Sequence, residues 1–470
     1  MKRLEISILK LSDVFVDNNE FRFDSEFFLK KYLLFDEFLK TKKTNKIGIL
    51  AKVSDGDHSK FPDNQKEEIR YLQAKDIKNH FIENYNPVFL SQDYFDKNKR
   101  SHINEENIIM SIMGSVGDIA ITPKGFKPTL ANRAVAIIKE IKDINPYYLF
   151  AYLSTNYGQL QIDRQKNGGV QERINLDVLS KVKIPFIKET FQLKIEELVK
   201  KAQTTKDLQK QTYINAENIL LKEIDLLYFQ PSQESVNIKT FNESFGASGR
   251  LDAEYYQKKY EDFHKAITKN ELGYTLIETE FEHIKNTSTK NKEKYNYIEI
   301  GDVNVNDGTC KPNLVNVEDL PANAKTLVKK GDILISNVRP YRGAVTIVDF
   351  ELSDLIVSGA FTVLREKNTS IFSIEVLKVL LRTTIYKEWL LKFNVGTSYP
   401  VIKDEDVLQL PIPKITIQSQ KTITEKIQES QKLKNLSEQL LEVAKRAVEI
   451  AIEENEEKAL EYIEQNKVKQ

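Results

Sequence analysis

Cysteine is almost absent from this chain of 470 residues: Cys310 stands alone, so no internal disulfide can staple the fold and one thiol cannot build a zinc site. Apolar runs of about 18 residues, long enough to cross a bilayer, are missing. Met1 to Lys10 alternates charge with Leu and Ile and carries no signal-peptide core. Together these absences point to a reducing, cytoplasmic setting. A net charge is missing too: Lys plus Arg and Asp plus Glu both number 69. Bulk electrostatics therefore draws the chain neither to nucleic acid nor to an acidic membrane, and any such partner must be met by a local patch. No Gly-x-x-x-x-Gly-Lys-Ser/Thr loop occurs, which excludes an ATP-driven motor. His58, His80, His102, His264 and His283 lack metal-ligand spacing.

The length calls for two or more domains, and two long segments free of Gly and Pro organise them. Phe191 to Leu227 and Gln418 to Ile452 are rich in Lys, Glu, Gln, Leu and Ile. In the second, Leu433, Leu436, Leu440, Val443, Ala447 and Ile450 recur at spacings of three and four, the seam of a coiled coil. In the first, Ile195, Val199, Ala202, Tyr213, Ala216, Leu220 and Leu227 form a similar stripe that Lys206 and Gln209 interrupt. A helix of about 37 residues is roughly 55 Å long, which suits a spacer better than one domain core.

The rest of the chain is written twice. Arg22, Asp24, Glu26 and Lys30-Lys31-Tyr32 match Arg250, Asp252, Glu254 and Lys258-Lys259-Tyr260. Further on, Tyr71-Leu-Gln-Ala-Lys-Asp-Ile meets Tyr297-Ile-Glu-Ile-Gly-Asp-Val, and Asn107-Ile-Ile-Met-Ser meets Asp332-Ile-Leu-Ile-Ser. Pro185, Gln192 and Ile195 meet Pro413, Gln420 and Ile423. Each copy is expected to open with an amphipathic helix (24–39; 252–267), continue through beta-rich runs (107–122; 332–348) forming a twisted antiparallel or mixed sheet, add one helix (146–160; 374–391), and lead by an Ile-Pro strand into its long helix. The linker is Gln230 to Ser235, and Glu453 to Gln470 reads as a frayed or partner-dependent end.

This duplicated order resembles the specificity subunits of type I restriction-modification systems. The resemblance rests on the paired Arg-x-Asp-x-Glu openings, the Gly-Asp-Ile-Leu-Ile-Ser strand at 331–336 and the Ile-Pro then Gln-x-x-Ile junctions. It implies an α+β fold: a tandem duplication of a mixed α/β target-recognition domain (1–187 and 231–415), each followed by a long helix (188–230 and 416–470), the two helices pairing as an antiparallel coiled coil. It further implies a non-catalytic chain that reads a bipartite double-stranded DNA target and recruits two methyltransferase subunits, which carry the S-adenosylmethionine. A motor-nuclease subunit can join them.

Base readout needs Arg, Lys, Asn, Gln and Ser on loops, with cations nearby for phosphate. The first copy offers Lys97, Lys99 and Arg100; Ser115 in the turn Gly114 to Gly117; and Arg164, Gln165, Lys166, Asn167, Gln171 and Arg173. The second offers Lys290, Lys292 and Lys294; Asn337, Arg339, Tyr341 and Arg342; and Asn394, Thr397, Ser398 and Tyr399. The last group of each copy stands at one repeat position yet shares no side chains, as two different half-sites would require. Any one of these residues also reads as an ordinary solvated loop position. Arg22/Asp24 and Arg250/Asp252 read as a helix start with an ion pair that docks the opening helix on the coil. Asn145-Pro146 is an N-cap with Pro at the first turn, since Tyr147 stands where the amine-holding Asn-Pro-Pro-Tyr motif has Pro. Asp302 to Gly308 imitates a calcium loop, but its Gly is one place late and Asn313 replaces the bidentate Glu, so it reads as an Asn-Asp-Gly hairpin. The competing function is a protein-interaction scaffold with two spaced modules and no DNA contact, which the zero net charge favours.

Overall fold

The computed structural model describes residues 6–15, 18, 21–59, 69–83, 87–168, 172–396 and 399–467. Its helices of eight residues or more are α1 (Lys30–Lys40), α2 (Pro146–Ser154), α3 (Asn156–Arg164), α4 (Glu189–Glu223), α5 (Lys258–Thr268), α6 (Ile374–Arg382), α7 (Thr384–Leu391), α8 (Ile417–Glu453) and α9 (Glu456–Gln465). The chain divides into two compact units, 1–207 with 433–470, and 208–432. Each long helix thus contributes one half to each unit.

The duplication is complete at the level of strand order. In unit one an antiparallel sheet runs Lys52–Asp55, Val135–Lys139, Ile108–Ser111, Ile119–Ile121; unit two repeats it as Phe281–His283, Phe361–Glu366, Ile333–Ser336, Val345–Ile347. A second sheet runs Val88–Leu90, Ile69–Leu72, Thr129–Ala131, His102–Ile103, its middle pair parallel. Its counterpart is Asn313–Asn316, Lys294–Ile298, Leu355–Ser358, Ala324–Leu327, again with the middle pair parallel. The stretch Ile108-Ile-Met110 is apolar throughout because its strand is covered on both faces. Ile108 and Met110 pack on the helices, while Ile109 packs with Leu72 and Ala131 of the second sheet. Ile333, Ile335 and Leu334 divide in the same way. Each unit is therefore helices on sheet on sheet.

The long helices run antiparallel within each unit. In unit one Ser437 Oγ donates to the Ala202 carbonyl at 2.7 Å and Lys188 N to Glu456 Oε1 at 2.9 Å. In unit two Gln209 Nε2 donates to Ser430 Oγ at 3.1 Å and Thr416 Oγ1 to Glu223 Oε1 at 2.8 Å. The narrow coiled-coil seam is replaced by a wider face: Leu441, Ala444 and Val448 are buried beside Leu440 and Ala447, whereas Leu436 and Ile450 are only partly so. Each half-helix must cover a globular core as well as its partner helix, which takes a broader apolar stripe. Lys206 and Gln209 do not turn outward but are buried. Lys206 Nζ meets Glu83 Oε1 at 3.3 Å in unit one.

Three other expectations change. The opening helices begin at Lys30 and Lys258, not at the aspartates, which instead open the turn before each helix, accepting from Phe27 N at 3.0 Å and from Tyr255 N at 3.3 Å. The single helix expected at 146–160 and 374–391 is two, broken at Thr155 and Thr383, each of whose hydroxyls caps the next helix by accepting from Gly158 N and Tyr386 N. The charged end is not frayed: α9, capped by Asn455, buries Ala459 and Ile463 in the core of unit one. Asn145 caps α2 with Pro146 in its first turn. The segment around Asp307 is a hairpin pairing Val303 with Cys310 and Asn304 with Thr309.

Candidate nucleic-acid interface

In each unit the central strand of the first sheet ends in a serine whose hydroxyl donates to the carbonyl two residues on: Ser111 Oγ to Met113 O at 3.1 Å, Ser336 Oγ to Val338 O at 2.8 Å. The chain leaves the sheet in the same direction both times. The loop so begun meets the loop that follows α3 or α7, through the bridges Met113↔Arg173 and Val338↔Val401. Two of the sequence-predicted groups are therefore brought together in both copies, side by side at one edge of the sheet.

The duplicated Arg-x-Asp motif supports the base of the third loop. Arg22 pairs with Asp24 through two bonds of 2.7 Å and donates to the carbonyls of Arg164 (3.1 Å) and Lys166 (2.7 Å). Arg250 pairs with Asp252 through two bonds of 2.7 Å and donates to the carbonyls of Asn394 (3.0 Å) and Phe393 (3.5 Å). The carbonyls left open at the end of α3 and α7 are thereby satisfied by a cation, the charge a helix C-terminus favours. The bonded arginine lowers the pKa of each aspartate below its ordinary value. The motif thus anchors a loop and does not dock a helix on the coil, as its sequence position alone had suggested.

Several predicted readers are committed to the scaffold. Arg164 is buried, donates to the Phe27 carbonyl at 3.0 Å, pairs with Asp36 and lies over the Phe27 ring. Asn337 is buried, donating to Asp404 Oδ1 at 2.8 Å and accepting from Thr362 Oγ1 at 2.7 Å. Both side chains are taken up by the scaffold, and reaching a base would leave their buried partners unpaired. Lys166 is held by Asp163 (2.8 Å) and Glu172 (3.4 Å), and Asn167 and Arg173 exchange backbone bonds of 3.0 and 2.9 Å. Asn394 folds its own loop, accepting from Gly396 N and Val401 N. Gln165 is half-buried beside them.

Others stand at the surface, some of them paired there. Ser115 is exposed between Gly114 and Gly117, both at positive φ (80° and 100°), where a side chain would strain the turn. Lys97 and Lys99 are exposed, while Arg100 donates to Asp55 Oδ1 at 2.5 Å. Lys290 reaches the Pro321 carbonyl at 3.3 Å and Lys292 pairs with Asp354 at 2.8 Å; Lys294 is exposed on its strand. These two first groups are not equivalent: Lys97 to Arg100 precede His102–Ile103, whose counterpart is Ala324–Leu327, and Lys290 to Lys294 lead into the counterpart of Ile69–Leu72. Gln171, Thr397 and Ser398 lie outside the described residues.

Sorting the arginines by what their guanidinium groups touch isolates four. Among the described residues, Arg133, Arg173, Arg339 and Arg342 make no side-chain hydrogen bond or ion pair. Arg133, at the exposed corner between Thr129–Ala131 and Val135–Lys139, escaped the sequence reading. Its signal was available, since Gly359 stands at the same place in the second copy. Arg339 has left-handed backbone (φ 50°, ψ 54°), donates its N–H to the Pro400 carbonyl at 2.7 Å and sets its guanidinium carbon 4.3 Å from the centre of the Tyr399 ring. Tyr399 is 60% exposed and Tyr341 38%. Among the described residues, no group of three or more His, Cys, Asp or Glu side chains is placed to hold a metal, and no helix is long and apolar enough to cross a membrane.

The model of the type I restriction modification DNA specificity domain matches residues 40–224 and 276–446, one match in each copy. The chain belongs to that family. A segment of 122 residues is 39% identical to the HindI specificity subunit of a type I restriction enzyme from Haemophilus influenzae; it spans 25% of this chain and only 26% of that relative. Among solved structures, the S subunit of a type I restriction-modification system from M. genitalium aligns over 87% of this chain and 95% of its own, at 13% identity and a TM-score of 0.39. The HsdS subunit from Thermoanaerobacter tengcongensis aligns over 88% and 97%, at 14% identity and a TM-score of 0.30.

Proposed function

We propose that this chain is the DNA-specificity subunit of a cytoplasmic type I restriction-modification complex, with no catalytic centre of its own. Residues 1–187 and 231–415 each read one half of a bipartite duplex target, and the helical segments 188–230 and 416–470 set the unread gap. Two methyltransferase subunits, carrying the S-adenosylmethionine, dock by the internal repeat, and a motor-nuclease subunit completes the restricting form. The observation that carries this reading is the pairing of a matched scaffold with unmatched loops. The same strand exit, the same Arg-Asp anchor and the same inter-loop bridge present Ser115 and Arg173 in one copy, and Arg339, Tyr341 and Arg342 in the other. Phosphate attraction from an uncharged chain is weak, so the partners supply much of it.

The test is long-read mapping of modified bases in the native host with the gene intact and deleted. Loss of one bipartite methylated motif on deletion is the expected result. An unchanged methylome with the gene expressed would turn the assignment to the two-module protein scaffold.

A further inference from the structure

The four uncommitted arginines are not equivalent. Arg133, Arg173 and Arg342 are exposed and, among the described residues, make no aromatic contact, whereas Arg339 is half-buried and fixed from three sides. Its backbone sits in the left-handed region that non-glycine residues avoid, held there by its N–H bond to Pro400, by the neighbouring Val338↔Val401 bridge and by buried Pro340, which starts a short 3-10 turn closed by Gly343 at φ 69°. Its guanidinium lies over the face of Tyr399. A group gripping phosphate needs charge, which a mobile lysine supplies as well. Here an unusual backbone and an aromatic face instead fix the plane of a guanidinium whose donors meet no protein acceptor among the described residues. A planar fork with free donors matches the paired O6 and N7 acceptors of guanine in the major groove.

We propose that Arg339 reads a guanine in the half-site bound by unit two, with Tyr399 as the positioning residue that holds the guanidinium plane. This rests on the DNA-reading function proposed above. Tyr399 acts through Arg339, and its effect falls on the same base pair.

The test uses the complete complex with its methyltransferase subunits. Each guanine of the methylated motif is replaced in turn by 7-deazaguanine, which removes the N7 acceptor. One guanine, in one half-site only, should weaken binding by on the order of 5- to 150-fold. Arg339→Lys should abolish that sensitivity and relax the same base pair in the methylome, leaving the other half-site and the gap unchanged. Tyr399→Ala should relax that base pair alone and Tyr399→Phe should restore it, whereas loss of a merely structural tyrosine would weaken the half-site without changing which bases it prefers. A half-site without guanine, or the absence of any sensitive guanine with the unaltered complex, overturns the proposal even where the variants fail to assemble. So does a uniform loss of affinity with an unchanged motif, the mark of a phosphate contact. If deleting the gene leaves the methylome intact, the DNA-reading function itself falls; if the motif needs the gene but survives Arg339→Lys base for base, only the Arg339 assignment falls.

Discussion

Arg250 carries two tasks with one guanidinium, the Asp252 pair and the carbonyls of Phe393 and Asn394, and Arg22 repeats both with Asp24, Arg164 and Lys166. Arg250→Ala should lower the stability of unit two by about 1–2 kcal/mol, because charged hydrogen bonds are lost at a partly solvated site. The methylated motif should keep its bases, since the arginine touches loop backbone. Asp252 has its carboxyl pulled down by Arg250, so the pair's contribution is full above the unfolded carboxylate value near 4 and disappears as pH falls through the lower folded value. Denaturant midpoints of the parent and Arg250→Ala should accordingly converge in acid. A second pH effect lies in unit one. Burial, reinforced by nearby Lys445, pushes His80 down to about 4 from 6.5. The unfolded chain takes up that proton first, so stability should fall as pH drops from about 6.5 to 4. His80→Asn, which tolerates the φ of 69°, should flatten the dependence between pH 7 and 5. The repeat of Arg-x-Asp was plain in the sequence, but its purpose was not, because the carbonyls it binds lie 142 to 144 residues away. Likewise an arginine whose side chain is buried (Arg164) and one whose side chain is free (Arg173) look alike in the sequence until the partners Asp36 and Phe27 are placed.

Among the elements, the long helices and the repeated beta-rich runs were legible because period and duplication can be read along the chain; the strand order was not, since it sets Thr129–Ala131 beside Ile69–Leu72 from far along the sequence. The ends of the helices were not legible either. α2 and α3 read as one apolar helix, and only the threonine that both ends one helix and caps the next divides it. The Gln-x-x-Ile junction was visible as a repeat; in the fold, Gln192 accepts from Asn145 N and Gln420 from Ser373 N, each at 2.8 Å, tying α2 to α4 and α6 to α8. The paired Gln73/Asp76 and Glu299/Asp302 are the same capping device in two copies. Lys206 broke the expected seam because its partner, Glu83, comes from a loop of unit one and not from the helix. Lys206→Ala should destabilise unit one by about 1–3 kcal/mol by removing one cation from beside the buried Glu83 carboxylate, while Lys206→Met with Glu83→Leu should recover most of that loss. Equilibrium unfolding of the single and double variants measures the difference. If the single variant costs no more than the double, the charge pair is not what that break provides.

The whole molecule is built of two repeated units. Two copies of one scaffold, each with its own serine exit and arginine anchor, offer two independent sets of loop side chains. In the sequence, residues 167–172 and 395–400 fall between equivalent fixed points, the carbonyl of Lys166 or Asn394 bound by the anchor arginine and the bridge at Arg173 or Val401. They are equal in length, so one can replace the other without stretching the scaffold. The measurement is long-read methylome mapping of the host after residues 395–400 alone are replaced by the sequence of 167–172. Modular reading predicts a motif altered in one half, with the other half and the gap preserved. A motif changed in both halves, or in its gap, would contradict it.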